Sequence, residues 1–115
     1  MAPVHWIGDS REVLAEFPQA VKNEIGFALY CEEITAPHPS IKPLKGFRHA
    51  VREIRVRHQG NAYRAVYVVN LGERLYVLHV FQKKSTRGIA TPKSDIDRIH
   101  ARLKQAEQHA KEHQR

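Results

Sequence analysis

The chain has 115 residues, 42% of them hydrophobic and 27% charged, which fits one compact domain (residues 1–115) and excludes a disordered or fibrous protein. It carries no apolar run of about 18 residues, so a membrane span is not expected. The formal net charge of +7 is uneven: residues 1–35 sum to −4, residues 36–94 to +10 and residues 95–115 to +1, and clustered cations of this kind suit a polyanionic partner.

The N-terminus, Met1-Ala2-Pro3-Val4-His5-Trp6, lacks the basic start and long apolar stretch of a secretory signal, so a cytoplasmic protein is expected. Residues 4–7 read as a short strand ended by Gly8. Asp9 with Glu12 three positions on resembles a capping box opening a helix over residues 10–17. Pro18 suits the first turn of a second helix. Leu14, Phe17, Val21, Ile25, Ala28 and Leu29 then recur at helical steps, predicting a helical hairpin over residues 10–34. The single cysteine, Cys31, falls in this helix and reads as a buried free thiol. Residues 35–47 hold Pro37, Pro39, Pro43 and Gly46 and predict a loop.

Three strands follow. Residues 51–58 alternate, with Ile54 and Val56 facing one way and Arg55 and Arg57 the other. Gln59-Gly60-Asn61 makes a turn, residues 62–71 are rich in Tyr and Val, and residues 75–82 are apolar on both parities, as in a central strand covered on both faces. Thr91 as N-cap and Pro92 open a last helix with Ile96, Ile99, Leu103, Ala106 and Ala110 on one side, and the polar tail is expected to fray. The order is β-α-α-β-β-β-α, an α+β fold with an antiparallel meander packed by helices.

Lys45, Arg55, Arg57, Arg64, Lys83 and Lys84 lie on or beside the predicted sheet, where strand pairing could gather them. Fixed cations of this sort stabilise the extra charge of a phosphoryl transition state without a metal or other cofactor. Taken singly, each reads better as a solvated strand end, and it is the convergence of several that favours a site. Eight histidines show no zinc spacing; His109 and His113 share a helix face but lack a third ligand. No phosphate-binding glycine loop or nucleophile elbow is present. Tyr63, Tyr67 and Tyr76 read first as core or sheet aromatics rather than base-stacking platforms; Tyr63, beside Arg64 near a turn, is the one to test for base contact.

These segments resemble a known family. Ala62-Tyr63-Arg64-Ala65-Val66-Tyr67 is similar to the Tyr-Arg-x-x-Tyr strand of RelE/ParE-superfamily toxins. Leu78-His79-Val80-Phe81-Gln82-Lys83-Lys84-Ser85 followed by Thr91-Pro92 resembles the phage-derived, HigB-like branch. Pro43-Leu44-Lys45-Gly46 and Arg52-Glu53-Ile54-Arg55 fall where that family has a Leu-Lys-Gly turn and a Glu-Leu-Arg strand. The resemblance implies a small RelE-like toxin of a type II toxin–antitoxin pair, an endoribonuclease that cuts mRNA, commonly on the ribosome, and is held inactive by a cognate antitoxin. It assigns Arg64 and Lys84 to the scissile phosphate and Arg55 to backbone orientation, with Lys45, Arg57, Tyr63, Lys83 and Arg87 as RNA contacts. The late tyrosine or histidine of several relatives has no clear counterpart after Tyr76, which leaves His58, His79 or Tyr63 as bases. A ParE-like gyrase inhibitor and a basic RNA-binding module are the alternatives.

Overall fold

A computed structural model describes residues 3–83 and 91–113. Its elements are β1 (Val4–Trp6), α1 (Ser10–Ala15), α2 (Gln19–Glu33), β2 (Ile41–Pro43), β3 (Val51–His58), β4 (Asn61–Leu71), β5 (Arg74–Lys83) and α3 (Lys93–Glu112). The five strands form one sheet in the order β1-β5-β4-β3-β2. The meander β3-β4-β5 is antiparallel as expected, but β1 adds in parallel to β5, so the sheet is mixed. The proline-rich segment read as loop supplies the edge strand β2, antiparallel to β3 with Ile41 opposite Ile54. Pro43 is tolerated because an edge strand needs only half of its N–H groups. Both hairpin turns have two central residues at positive φ, Gln59-Gly60 (49° and 80°) and Gly72-Glu73 (60° and 61°), the handedness that matches strand twist.

The two faces of the sheet are buried by different helices. Ile54, Val56, Tyr63, Ala65, Tyr67, Leu75, Val77 and Val80 pack against Val21, Ile25, Ala28 and Leu29 of α2. Cys31 is also buried on α2, as expected of a free thiol in a core. Val51, Val66, Val68, Tyr76, Leu78 and Phe81 pack against Ile99, Leu103, Ala106 and Ala110 of α3. Every apolar position predicted on the last helix except Ile96 is buried, and Ile96 packs at the rim of the cluster. Helix α3 also continues to Glu112, past the point where the polar sequence predicts fraying. Ala110 is buried beside Gly72, and His109 Nδ1 lies 2.8 Å from the Tyr76 hydroxyl, so the tail has partners the helical period alone does not reveal.

A β-bulge decides which side chains of β5 face α3. Tyr67 pairs with Val77 but Val66 pairs with His79, leaving Leu78 as the extra residue. Beyond it the parity is inverted: His79, Phe81 and Lys83 lie on the α3 face, opposite Val66, Arg64 and Ala62. Bulges commonly re-aim side chains in this way. The apolar run on both parities of β5 is thus the signature of a strand covered on both faces and shifted once.

Among the described residues no helix is long and apolar enough to cross a membrane.

Candidate functional site: a cationic end of the sheet

On the α3 face, Arg55 of β3 is paired directly with Arg64 of β4, Arg57 with Ala62, and Ala62 in turn with Lys83 of β5. Directly opposed residues have Cβ atoms about 5 Å apart, so register alone gathers these four cations at one end of the sheet. Helix α3 starts at that end and runs away from it: Thr91, just before the helix, meets Arg64, whereas Ala110 meets the β4–β5 turn.

The cations are arranged around an acidic residue. Glu53, fully buried, accepts a 2.6 Å hydrogen bond from Arg55 Nε on Oε1, and its Oε2 lies 3.6 Å from Arg64 Nη1 without a hydrogen-bond partner. Arg64 also donates to Thr91 Oγ1 at 3.2 Å, and its side chain is only 6% exposed. Burial lowers the proton affinity of the Arg64 guanidinium, and the Glu53 carboxylate opposes that effect. Lys83 is likewise 5% exposed. Burial, then the neighbouring Arg64 and Arg55, make its ammonium easier to deprotonate than a free lysine. Arg55 is the half-open member, with 35% of its side chain accessible, and Arg57 is exposed.

The structure therefore brings together Arg55, Arg57, Arg64 and Lys83 of the residues singled out in the sequence. Lys84 and Arg87 lie outside the described residues. Lys45 does not join them. It follows Pro43, which is paired with Arg52 near the start of β3, whereas Arg57 stands near that strand's far end. Five residues of strand separate the two, about 16 Å at the usual rise. Tyr63 is on the opposite face, 5% exposed and edge-on to Phe17 at 4.8 Å between ring centroids, so it serves the α2 core rather than a base-stacking platform. His58 closes β3 at the turn, paired with Asn61.

His79, one of the candidate bases, is a buried core histidine. Its ring stacks on Phe81, Nε2 is 2.7 Å from Asp95 Oδ1, and Nδ1 is 3.3 Å from Arg102 Nη1. Arginine can only donate, so Nδ1 accepts and the neutral ring carries its hydrogen on Nε2, donated to Asp95. Both nitrogens are committed, which removes His79 as a free general base. Arg102 continues the chain to the Leu78 carbonyl and to Asp9 Oδ1 at 2.7 Å. Asp9 therefore precedes α1 without capping it through its side chain, and Thr91 accepts from Arg64 while Pro92 holds the N-cap position of α3. The sequence reading missed Glu53, Thr91, Asp95 and Arg102 as parts of this site. Only the Glu and Thr of the two resemblance motifs signalled any of them.

The histidine has a measurable consequence. Burial, chiefly, with Arg102 and Arg98 adding to it and Asp95 opposing, lowers the pKa of His79; burial also leads the lowering for His5, stacked on Tyr76, and for His109, edge-on to it. A histidine held neutral by the fold binds its proton more readily when unfolded. Its contribution is therefore complete above about pH 6.5 and lost as the pH falls through that value. Urea unfolding at pH 7.5, 6.5 and 5.5 is expected to show falling stability, with a shallower fall in His79→Gln. A pH-independent midpoint over this range overturns the assignment.

Fold and cluster together define a small α+β domain with a helix layer on each sheet face and a cationic end left beside the start of α3. Residues 12–104 match the family described as Phage derived protein Gp49-like. The chain belongs to that family, which is RelE/toxin-like. No curated protein matches the chain.

Proposed function

We propose that this protein is the toxin of a type II toxin–antitoxin system, of the HigB-like kind, and that it cleaves mRNA at the cationic end of its sheet, with the ribosome as the expected setting. The observation that carries this reading is the convergence of Arg55, Arg57, Arg64 and Lys83 from three strands on one face, with the carboxylate of Glu53 set between Arg55 and Arg64. In such cleavage the ribose 2′-OH attacks the adjacent phosphate. The enzyme must align the nucleophile, stabilise the added charge and supply a proton to the leaving 5′ oxygen.

Arg55, half exposed, orients the phosphodiester, and Arg57 contacts the flanking backbone. Arg64, nearly buried, acts on the scissile phosphate mainly through its field, which a low-dielectric setting strengthens. Lys84 keeps the phosphate role implied by the resemblance, with Lys45 and Arg87 as outer RNA contacts. Lys83, whose ammonium is easier to deprotonate than usual, is the member of the cluster best suited to move a proton. The antitoxin is expected to set an acidic segment against this surface and suppress cleavage.

The test is brief expression from a tightly controlled promoter with mapping of new RNA 5′ ends, using Arg55→Ala/Arg57→Ala as control. New ends inside reading frames, reduced about 100-fold or more in the double variant, are expected. The purified variant should also lose about 1.4 from the slope of log affinity against log salt, the share of two phosphate contacts on a single strand. Intact transcripts with DNA damage and growth arrest overturn the RNA reading in favour of gyrase poisoning.

A further inference from the structure

Glu53 has no place in the mechanism above, yet it is the most buried charged side chain in the site. A carboxylate removed from water is costly unless charge and hydrogen bonds compensate it. Here the compensation is one-sided: Oε1 takes the Nε–H of Arg55 at 2.6 Å, while Oε2 has no hydrogen bond and faces Arg64 at 3.6 Å. Arg55 and Arg64 sit directly opposite each other across β3 and β4, a pairing that like charges disfavour. One carboxylate shared between them makes that pairing tenable.

The manner in which Arg55 is held is informative. Glu53 takes Nε, at the root of the guanidinium, and neither Nη atom of Arg55 has a hydrogen bond among the described residues. The planar end of the side chain is fixed but unspent, and 35% of the side chain is accessible. Two parallel N–H donors in a fixed plane match the two unesterified oxygens of a phosphodiester.

We propose that Glu53 is a positioning residue: it grips Arg55 by Nε and counters Arg64, so that the Nη pair of Arg55 is presented rigidly to the phosphodiester being cut. It does not carry the proton, because a fully buried side chain cannot reach the 2′-OH. The proposal rests on the RNA-cleaving reading.

Two variants separate the roles. Glu53→Gln keeps an oxygen to accept from Arg55 Nε; Glu53→Leu removes the grip. Single-turnover cleavage of a short RNA and binding of its non-cleavable 2′-deoxy analogue are measured for each. For Glu53→Leu the expected result is a cleavage rate about 100-fold lower, with binding unchanged or tighter because a negative charge is gone; Glu53→Gln retains most of the rate. A proton carrier would instead make Gln as poor as Leu and remove one limb of the pH profile. Equal loss of rate and binding would mean a merely structural residue, and either result overturns the proposal. Should Glu53→Leu not fold, the unaltered chain still decides: the Arg55 Nε–H is expected as a slowly exchanging NMR signal that persists when the analogue binds. Exchange at the rate of free arginine sinks the proposal. An unaltered chain that neither binds nor cuts RNA defeats the RNA reading, while the Nε–H signal still reports whether Glu53 holds Arg55.

Discussion

Replacing Arg64 alone by leucine is expected to destabilise the protein by about 3 kcal/mol, and replacing Arg64 and Glu53 together by leucine is expected to restore most of that loss. Glu53 is fully buried and Arg64 nearly so, and their contact at 3.6 Å is an ion pair rather than a hydrogen bond. Taking away the arginine leaves a carboxylate in the interior with Arg55 as its hydrogen-bonded cation and Lys83 as a charged neighbour, and the desolvation cost of that carboxylate is less well matched. Removing both charges abolishes the cost at its origin, and leucines on this face continue the cluster of Val66, Leu78 and Phe81. Urea unfolding of the two single variants and the double gives the coupling directly. A double variant as unstable as the sum of the singles would show that the pair is held for reasons other than charge compensation. The same reasoning governs the choice of activity controls. Arg64→Ala, the variant the sequence resemblance suggests first, perturbs folding and chemistry at once. Arg55 and Arg57, half-open and exposed, can be truncated with little buried charge at stake.

The meander and its charges were legible because β3 alternates: with Ile54 and Val56 committed to a core, Arg55 and Arg57 had to share the other face. Period-2 patterning also implied that strand pairing would gather cations. Which cations it gathered was not legible, since that depends on register and on the bulge at Leu78. The bulge brings Lys83 onto the face of Arg64, while the pairing of β2 carries Lys45 toward the start of β3, away from Arg57. Tyr63 was misplaced for a related reason. Its neighbour Arg64 suggested a shared function, but adjacent residues on a strand face opposite ways, and Phe17 claims the ring. Glu53 between arginines reads in one dimension as a solvated strand residue; its burial beside Arg64 follows from the pairing of β3 with β4. Asp9 and Thr91 each occupied a capping position in the sequence, yet their side chains went to Arg102 and Arg64. A long-range guanidinium was the stronger partner, and local patterns carry no information about it.

Gly8→Ala is the second substitution with a large expected effect, about 3 kcal/mol, although Gly8 is exposed and touches no apolar core. Two costs combine. Gly8 has φ of +60°, a conformation that costs an L-residue about 1 kcal/mol or more. A Cβ there would also stand 2.8 Å from Arg102 Cζ and 2.9 Å from its Nε and Nη2. The end of an arginine ordinarily moves aside at little cost. This one is held by Asp9, the Leu78 carbonyl and His79 Nδ1, so displacement gives up contacts just before α1 and on β5 together. Each such bond is worth about 1 kcal/mol net. In an Arg102→Met background the side chain has none of these bonds to lose, and Gly8→Ala is expected to cost only the backbone strain. Equal costs in the two backgrounds would show that the guanidinium is not the obstacle. The displacement has a second readout, because Arg102 is one of the charges that keep His79 neutral. Moving it away raises the proton affinity of folded His79 toward that of the unfolded chain, so Gly8→Ala should make the acid-side loss of stability below about pH 6.5 smaller while Asp95 holds the ring. A larger loss would mean that the ring had lost Asp95 as well, and that the chain from Asp9 to Asp95 moves as one unit.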